Sequence, residues 1–283
     1  MAGDKDKKPG GVNITISERS TEKVIDALLD AFSPITQGLG TLGDRVRVYR
    51  TVTLIRILQR AKKIAEEEGH KLELPPPKFL VPYMEAASLE DESEAGLQEK
   101  WAKLLAGAGQ TPDSLSYFAR AVLAELSPEE ARLLDQLVQT CRVLEYDTFK
   151  AYVSNVRSKL TAAAKVIDEV VGLLDAGKLD GDQARQQMLK PLGDVQGVEV
   201  VGLAINTKSR AFESQNGYVS FSSPKFSEQY HQFLILEGRR IVDVGDFAPD
   251  NFLASNVVAI QHVSFTKLGW ELVRKICKTG PSN

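Results

Sequence analysis

The sequence predicts a protein that is mainly α-helical in its first half and α+β in its second half. Apolar residues recur at helical spacing through most of the chain before Cys141. Short runs of β-branched residues gather after Val198 and alternate with further amphipathic segments, which is typical of an α+β arrangement. We expect a flexible tail over residues 1–20, a helical domain over 21–125 and an α+β domain over 126–283.

Composition and charge exclude several classes of protein. The chain has 283 residues, 43% hydrophobic and 26% charged, as globular proteins do and collagen-like or disordered chains do not. A net charge of −3 provides no overall field that would attract nucleic acid or an anionic membrane. Cys141 and Cys277 are too few for a disulfide framework, and no apolar run approaches the roughly 20 residues of a membrane span. We therefore expect a cytoplasmic protein with reduced thiols and no membrane contact.

The first helix is predicted from the apolar spacing between Val24 and Phe32, after a capping Ser20. The stretch 38–43 then reads GLGTLG, which spells the G-x-G-x-x-G fingerprint of dinucleotide sites. That fingerprint requires a preceding strand and an acidic residue about 20 positions later, whereas here a helix precedes it and basic residues follow. We interpret the stretch as a link between two helices and predict no cofactor.

The segment 42–68 carries the strongest helical pattern of the chain, and one of its sides is basic. Four cations project within about 60° of one another at 100° per residue. They are Arg45, Arg56, Arg60 and Lys63. One interpretation is a phosphate-binding stripe, and the other is neutralisation by the acidic segment 85–99 or a solvated face. We favour the second interpretation and keep the four cations as candidate binding residues.

Proline, cap and spacing signals place the next helices. The three prolines at 75–77 predict a stiff turn, with Pro77 in the first turn of a helix. Apolar stripes that begin at Phe79 and Leu97 predict two core helices, and the segment 112–124 predicts another. The sequence SPEE at 127–130 is a capping box that opens a helix through Cys141.

Helices and strands alternate in the second half. Helices are predicted over 149–174, 182–189 and 226–236, and strands over 198–205, 218–222, 240–244 and 257–265. Thr266 is placed to cap a last helix. The order of helices, a strand pair and a closing helix is similar to that of a winged helix, which contacts DNA or protein. Because Arg239 and Arg240 alone supply local positive charge there, we rank protein contact above nucleic-acid contact.

Candidate catalytic and metal-binding groups are few. The chain has three histidines and lacks the short motifs of metalloproteases, serine hydrolases, P-loop enzymes and paired-cysteine zinc sites. Asp243, Asp246 and His262 form the one candidate metal cluster, although a histidine in a strand is more often packed and hydrogen-bonded than metal-bound. We predict no catalytic residue and no metal, with a metal-dependent hydrolase at these three residues as the least favoured alternative.

Four segments, at 43–69, 76–108, 126–137 and 263–277, carry short recurring elements that include PK, EAASLE, WAKLL and LGW. In this order and spacing they resemble the abortive infection alpha family, over most of the chain from about Thr21 onward. The resemblance implies an intracellular bacterial protein associated with defence against phage, with no catalytic residues to carry over. Residues 193–256 fit the pattern less well, and we expect a variable module there.

Three functional hypotheses follow. The first is a non-enzymatic abortive-infection protein that binds a phage-encoded protein or a second copy of itself through the helix that carries Arg45 to Lys63 and through the C-terminal module. The second is a nucleic-acid-binding regulator that uses the same cations. The third is the metal-dependent hydrolase. Apolar helical stripes also leave homo-oligomerisation open.

Overall fold

Helices dominate the first half of the chain, and helices and strands share the second half, as predicted. The computed structural model describes residues 42–91, 93–193, 195, 197–207, 218–223, 228–248 and 256–277. The predicted tail at 1–20, the helix after Ser20 and most of the glycine-rich link lie outside the described residues.

Five helices make up the first half: α1 (Leu42–Glu67), α2 (Pro77–Ala87), α3 (Ala95–Ala108), α4 (Ser114–Glu125) and α5 (Pro128–Thr140). Their predicted start signals are confirmed. Pro77 occupies the first turn of α2, where a missing N–H removes no helical hydrogen bond. Ser127 and Glu130 form the reciprocal capping box that opens α5.

The core of the first half is built around Trp101 of α3. Its ring is fully buried and meets the Tyr83 ring edge to face, with the ring centroids 5.1 Å apart. The Tyr83 hydroxyl donates to the carbonyl of Trp101 at 2.7 Å, and Trp101 Nε1 donates to Glu90 Oε1 at 2.6 Å. The polar atoms of both rings therefore have partners, as buried aromatic side chains require.

The second half contains a four-stranded antiparallel sheet. Its elements are α6 (Phe149–Asp175), α7 (Gly181–Gly193), β1 (Glu199–Asn206), β2 (Tyr218–Ser222), α8 (Tyr230–Gly238), β3 (Val242–Phe247), β4 (Val257–Phe265) and α9 (Lys267–Ile276). The strand order is β2-β1-β4-β3. The predicted pair of strands before the last helix, β3 and β4, is present, and β1 and β2 extend it into a wider sheet.

Several boundaries differ from the predictions: α7 extends to Gly193 and not 189, β3 extends to Phe247 and not 244, and the segments on both sides of Arg240 are shifted. This residue has a left-handed backbone with φ of 58°, so β3 begins at Val242 and not at residue 240. The preceding helix α8 begins at Tyr230 and ends at Gly238, whereas the apolar pattern predicts 226–236. A tight left-handed turn therefore separates α8 from the sheet.

Side chains from both halves enter one continuous core. The buried Tyr152 of α6 donates its hydroxyl to the carbonyl of Gly197 at 2.6 Å and accepts from the Phe265 amide at 2.9 Å. Thr266 caps α9 by accepting from the Gly269 amide, as predicted. Helix α9 of the second half packs against α3 and α4 of the first half. The division into a helical domain over 21–125 and an α+β domain over 126–283 stays a prediction.

Asp113 joins the start of α4 to the end of α9. Its ionisation contributes to the dependence of the folded protein's stability on acidic pH. Lys275 Nζ donates to its two carboxylate oxygens at 2.8 and 3.1 Å, and the Ser116 amide donates at 2.7 Å. Lys275 first, and Ser116 second, hold the pKa of Asp113 at about 2, below its ordinary value of 3.8. The folded pKa is depressed, so this stabilisation is present above about pH 4 and lost as the pH falls toward 2.

We expect Asp113→Asn to lose less stability than the wild type between pH 4 and pH 2, because asparagine keeps a capping oxygen but has no charge to titrate. Urea unfolding at a series of pH values measures this. Asp147→Asn, at an exposed aspartate, is the control and should follow the wild-type curve. Equal acid sensitivity of Asp113→Asn and wild type would contradict the role assigned to the Lys275 pair.

Candidate interaction surfaces

The predicted basic stripe of α1 is partly neutralised within the molecule. Arg60 donates through Nε and Nη2 to the two carboxylate oxygens of Glu99, at 2.5 and 2.7 Å. The hydrogen bond to Glu99 is the largest influence on the Arg60 guanidinium and raises its pKa. Glu99 belongs to the acidic segment 85–99, so the predicted internal neutralisation is confirmed at Arg60.

The other cations of the stripe have different surroundings. Lys63 Nζ lies 3.7 Å from Glu67 Oε1, and the Lys63 side chain is 66% exposed. Arg56 is exposed on the same helix. Arg45 lies in the first turns of α1, where only the backbone is described. A solvated pair of charges on one helix, such as Lys63 with Glu67, contributes little to stability. Lys63 and Arg56 both lie at the surface of the protein.

Arg239 and Arg240 lie after the last turn of α8 and differ sharply. Arg239 Nη2 donates to the carbonyl of Glu125 at 2.9 Å, and its Nη1 lies 3.5 Å from Glu130 Oε2. These contacts fix the end of α8 to the end of α4 and to the start of α5. Arg240 is exposed in its left-handed turn. The two residues therefore do not form a joint phosphate grip, and Arg240 is the one that faces solvent.

Helix α8 also exposes large apolar side chains. Tyr230, Leu234 and Ile235 are 45%, 40% and 39% exposed, whereas Phe233 and Leu236 are buried against the rest of the module. At 100° per residue Leu234 lies about 40° and Ile235 about 140° from Tyr230, so the three side chains spread over the half of α8 that is opposite the buried Phe233 and Leu236.

The sequence pattern did not single out this apolar face. The run 233–236 reads FLIL, so apolar residues point to both sides of the helix and no periodicity separates a buried face from an exposed one. The sequence feature that could have indicated an exposed apolar surface is an uninterrupted apolar run on a short helix beside a turn. Deciding which of these residues face solvent requires the packing of α8 against β3 and α5.

Asp243, Asp246 and His262 lie on the paired strands β3 and β4. Asp243 is opposite Ser264 and Gly245 is opposite His262, which places Asp243 and His262 on the same face, while Asp246 is opposite Gln261. Burial lowers the pKa of His262, and its Nδ1 lies 3.3 Å from the carbonyl oxygen of Ile260. In the part of the chain that the structure describes, no three His, Cys, Asp or Glu side chains are grouped to hold a metal. These three residues thus do not assemble the site that a metal-dependent hydrolase requires.

The family model described as abortive infection alpha matches residues 51–194, about half of the chain. The chain belongs to the abortive infection alpha family. No curated protein matches the chain, and no solved structure does.

The matched range of the abortive infection alpha family runs from within α1 to the end of α7. It contains Arg56, Arg60, Lys63 and Glu99, and it ends where residues 193–256 were expected to depart from the pattern. The sheet, α8 and the LGW element at 268–270 lie beyond it. Among the described helices of this family member, none combines the length and apolar character that crossing a bilayer requires.

Proposed function

We propose that this chain acts in abortive infection as a non-enzymatic component that binds a protein through the exposed face of α8. The proposal depends on one observation, the three large apolar side chains Tyr230, Leu234 and Ile235 on a single short helix. Several large exposed apolar side chains on the solvent side of one helix are typical of protein–protein contacts. Membership of the abortive infection alpha family supports the biological process.

A protein partner is favoured over nucleic acid by the charges around both candidate surfaces. Nucleic-acid binding depends on several cations that neutralise phosphates together. Arg60 is already engaged by Glu99, and Arg239 by Glu125 and Glu130. Apolar contact at α8 needs no such cluster. A phage-encoded protein and a second copy of this chain remain the two partners to distinguish.

The direct test changes the apolar face of α8 while leaving its buried side intact. We expect Leu234→Glu with Ile235→Glu to reduce phage protection, measured by plaque counts in an expressing bacterial strain, about tenfold or more. A photo-crosslinking amino acid placed at Tyr230 should form a protein adduct in the parent chain, and this adduct should be lost in the double variant. The mass of the adduct separates a second copy of the chain from a phage-encoded protein.

A matched control uses exposed apolar residues elsewhere. Val166 and Leu173 of α6 are 43% and 39% exposed, so Val166→Glu with Leu173→Glu carries the same chemical change on another helix. This control should keep full protection and the crosslink at Tyr230. Full protection by the α8 double variant would refute the proposal. The double variant Arg56→Glu with Lys63→Glu tests the nucleic-acid-binding regulator. If this variant loses both salt-dependent retention on DNA and phage protection, the regulator is favoured instead.

A further inference from the structure

A cavity of about 690 Å³ lies where α7 crosses the beginning of β1. Strand β2 pairs with residues 202–206 of β1, so residues 199–201 extend beyond it. Just after the end of β2, the Ser223 amide donates a hydrogen bond to the carbonyl of Val201 at 2.8 Å. The second half of α7 and the end of α5 enclose the remaining space. The cavity thus arises because β2 is shorter than its neighbour.

The walls of this cavity combine an apolar part with a polar part of nearly equal extent. Leu189 and Leu192 of α7 face Val198, Val200 and Leu203 of the β1 segment across it. Its volume falls within the range of about 300–1,000 Å³ that small-molecule sites occupy. Such sites combine apolar walls with a few polar groups that orient the ligand.

The polar groups at this cavity include two arginines from different elements. The guanidinium of Arg185 lies 5.4 Å from the centroid of the Phe221 ring. Among the described residues, no carboxylate lies within ion-pair distance of Arg185. Arg142, whose φ of 47° is left-handed, donates through Nε to Glu145 Oε1 at 2.6 Å. The lining also contains Arg142, whose charge is partly compensated, and one acidic residue, Glu199. Arg185 is therefore the cation that we expect an incoming anion to contact.

We propose that this cavity binds a small amphipathic anion, with a carboxylate or phosphate head on Arg185 and an apolar or aromatic body between α7 and β1. The planar guanidinium presents paired N–H groups that match the oxygens of either head group. The Phe221 ring holds the guanidinium in place by a cation–π contact. This site is distinct from the α8 face and does not depend on the function proposed for it.

Fluorescence titration of the full chain with anilinonaphthalene sulfonate, an aromatic anion, tests the site. We expect saturable binding with one site per chain, weakened about tenfold in Arg185→Gln because a charge-assisted contact is lost. Gly193→Leu should also weaken binding, because Gly193 lines the cavity and a larger side chain should reduce the space there. A Cβ at Gly193 meets no atom within 4 Å, so the helix can accept this substitution without moving.

Two controls separate the site from general dye adsorption. Lys190→Gln removes a cation from the same helix without altering the cavity lining, and Gly172→Leu adds a side chain on α6 where a Cβ also meets open space. Both should bind the dye as the wild type does. Displacement by decanoate would identify an acyl carboxylate as the ligand chemistry, and displacement by adenosine monophosphate a nucleotide phosphate. Displacement by neither, or unchanged binding by Arg185→Gln, would overturn the proposal.

Discussion

Replacing Gly269 by alanine is expected to lower the free energy of unfolding by about 3 kcal/mol or more. Gly269 lies in the first turn of α9, where a Cβ would stand 1.8 Å from the carbonyl oxygen and 2.6 Å from the carbonyl carbon of Ile241. Two hydrogen bonds hold the backbone of Ile241 in place. The Ile241 amide donates to the Leu236 carbonyl at 2.9 Å, and the Ile241 carbonyl accepts from the Thr266 amide at 3.1 Å. The added methyl group must therefore displace α9 from the sheet.

Urea unfolding of Gly269→Ala beside Gly107→Ala measures this effect. Gly107 lies within α3, where a Cβ would meet no atom within 4 Å, so alanine should stabilise the chain by about 0.5–1 kcal/mol through helix propensity. The two substitutions are chemically identical and differ in the space around the new methyl group. Similar stability of the two variants would show that α9 does not approach Ile241 as closely as described.

The second large effect is expected at the ion pair between Lys100 and Asp135, where the two partners are buried unequally. The Lys100 side chain is 4% exposed and the Asp135 side chain 38% exposed. Asp135→Ala leaves an ammonium group buried without its partner, which should cost about 3 kcal/mol or more. Lys100→Met leaves a carboxylate that water reaches, and methionine fills much of the lysine's volume, so the cost should be about 1 kcal/mol.

The double variant Lys100→Met with Asp135→Ala distinguishes burial of an unpaired charge from loss of packing. We expect its free energy of unfolding to be higher than that of Asp135→Ala alone, because no ammonium group remains in the core. Chemical denaturation of the four proteins provides the comparison. Additive losses from the two substitutions would contradict this explanation, since independent sites should not rescue one another.

Features of the fold that depend on residues close together in the sequence were predictable from the sequence. The capping box at Ser127, the proline start of α2 and the cap at Thr266 each involve side chains and amides within four positions of one another. The long apolar pattern of α1 likewise predicted its end to within one residue. Local sterics and hydrogen bonding decide these features, so the rest of the fold can do little to change them.

The candidate surfaces were predicted less completely, because they depend on contacts between distant segments. The sequence placed Arg60 on a basic stripe and favoured neutralisation by the acidic segment 85–99 or a solvated face over phosphate binding. It could not name Glu99 as the partner, because the two-oxygen contact joins residues 39 positions apart. Arg239 and Arg240 are adjacent in sequence, yet Arg239 is fixed on the end of α4 and the start of α5, whereas Arg240 faces solvent. The cavity beside Arg185 has no signal in the sequence, since it exists where two strands of unequal length meet a helix.

By itself, the sequence determined the α then α+β order, most helix ends and the family, since periodicity, caps and short motifs act over a few residues. The tertiary structure decided which face of α8 is exposed, which arginines are neutralised, and that Asp243, Asp246 and His262 do not form a metal site. Those outcomes depend on burial and on distances between segments far apart along the chain. Burial and such distances follow from how whole helices pack against the sheet, and local residue patterns do not encode them.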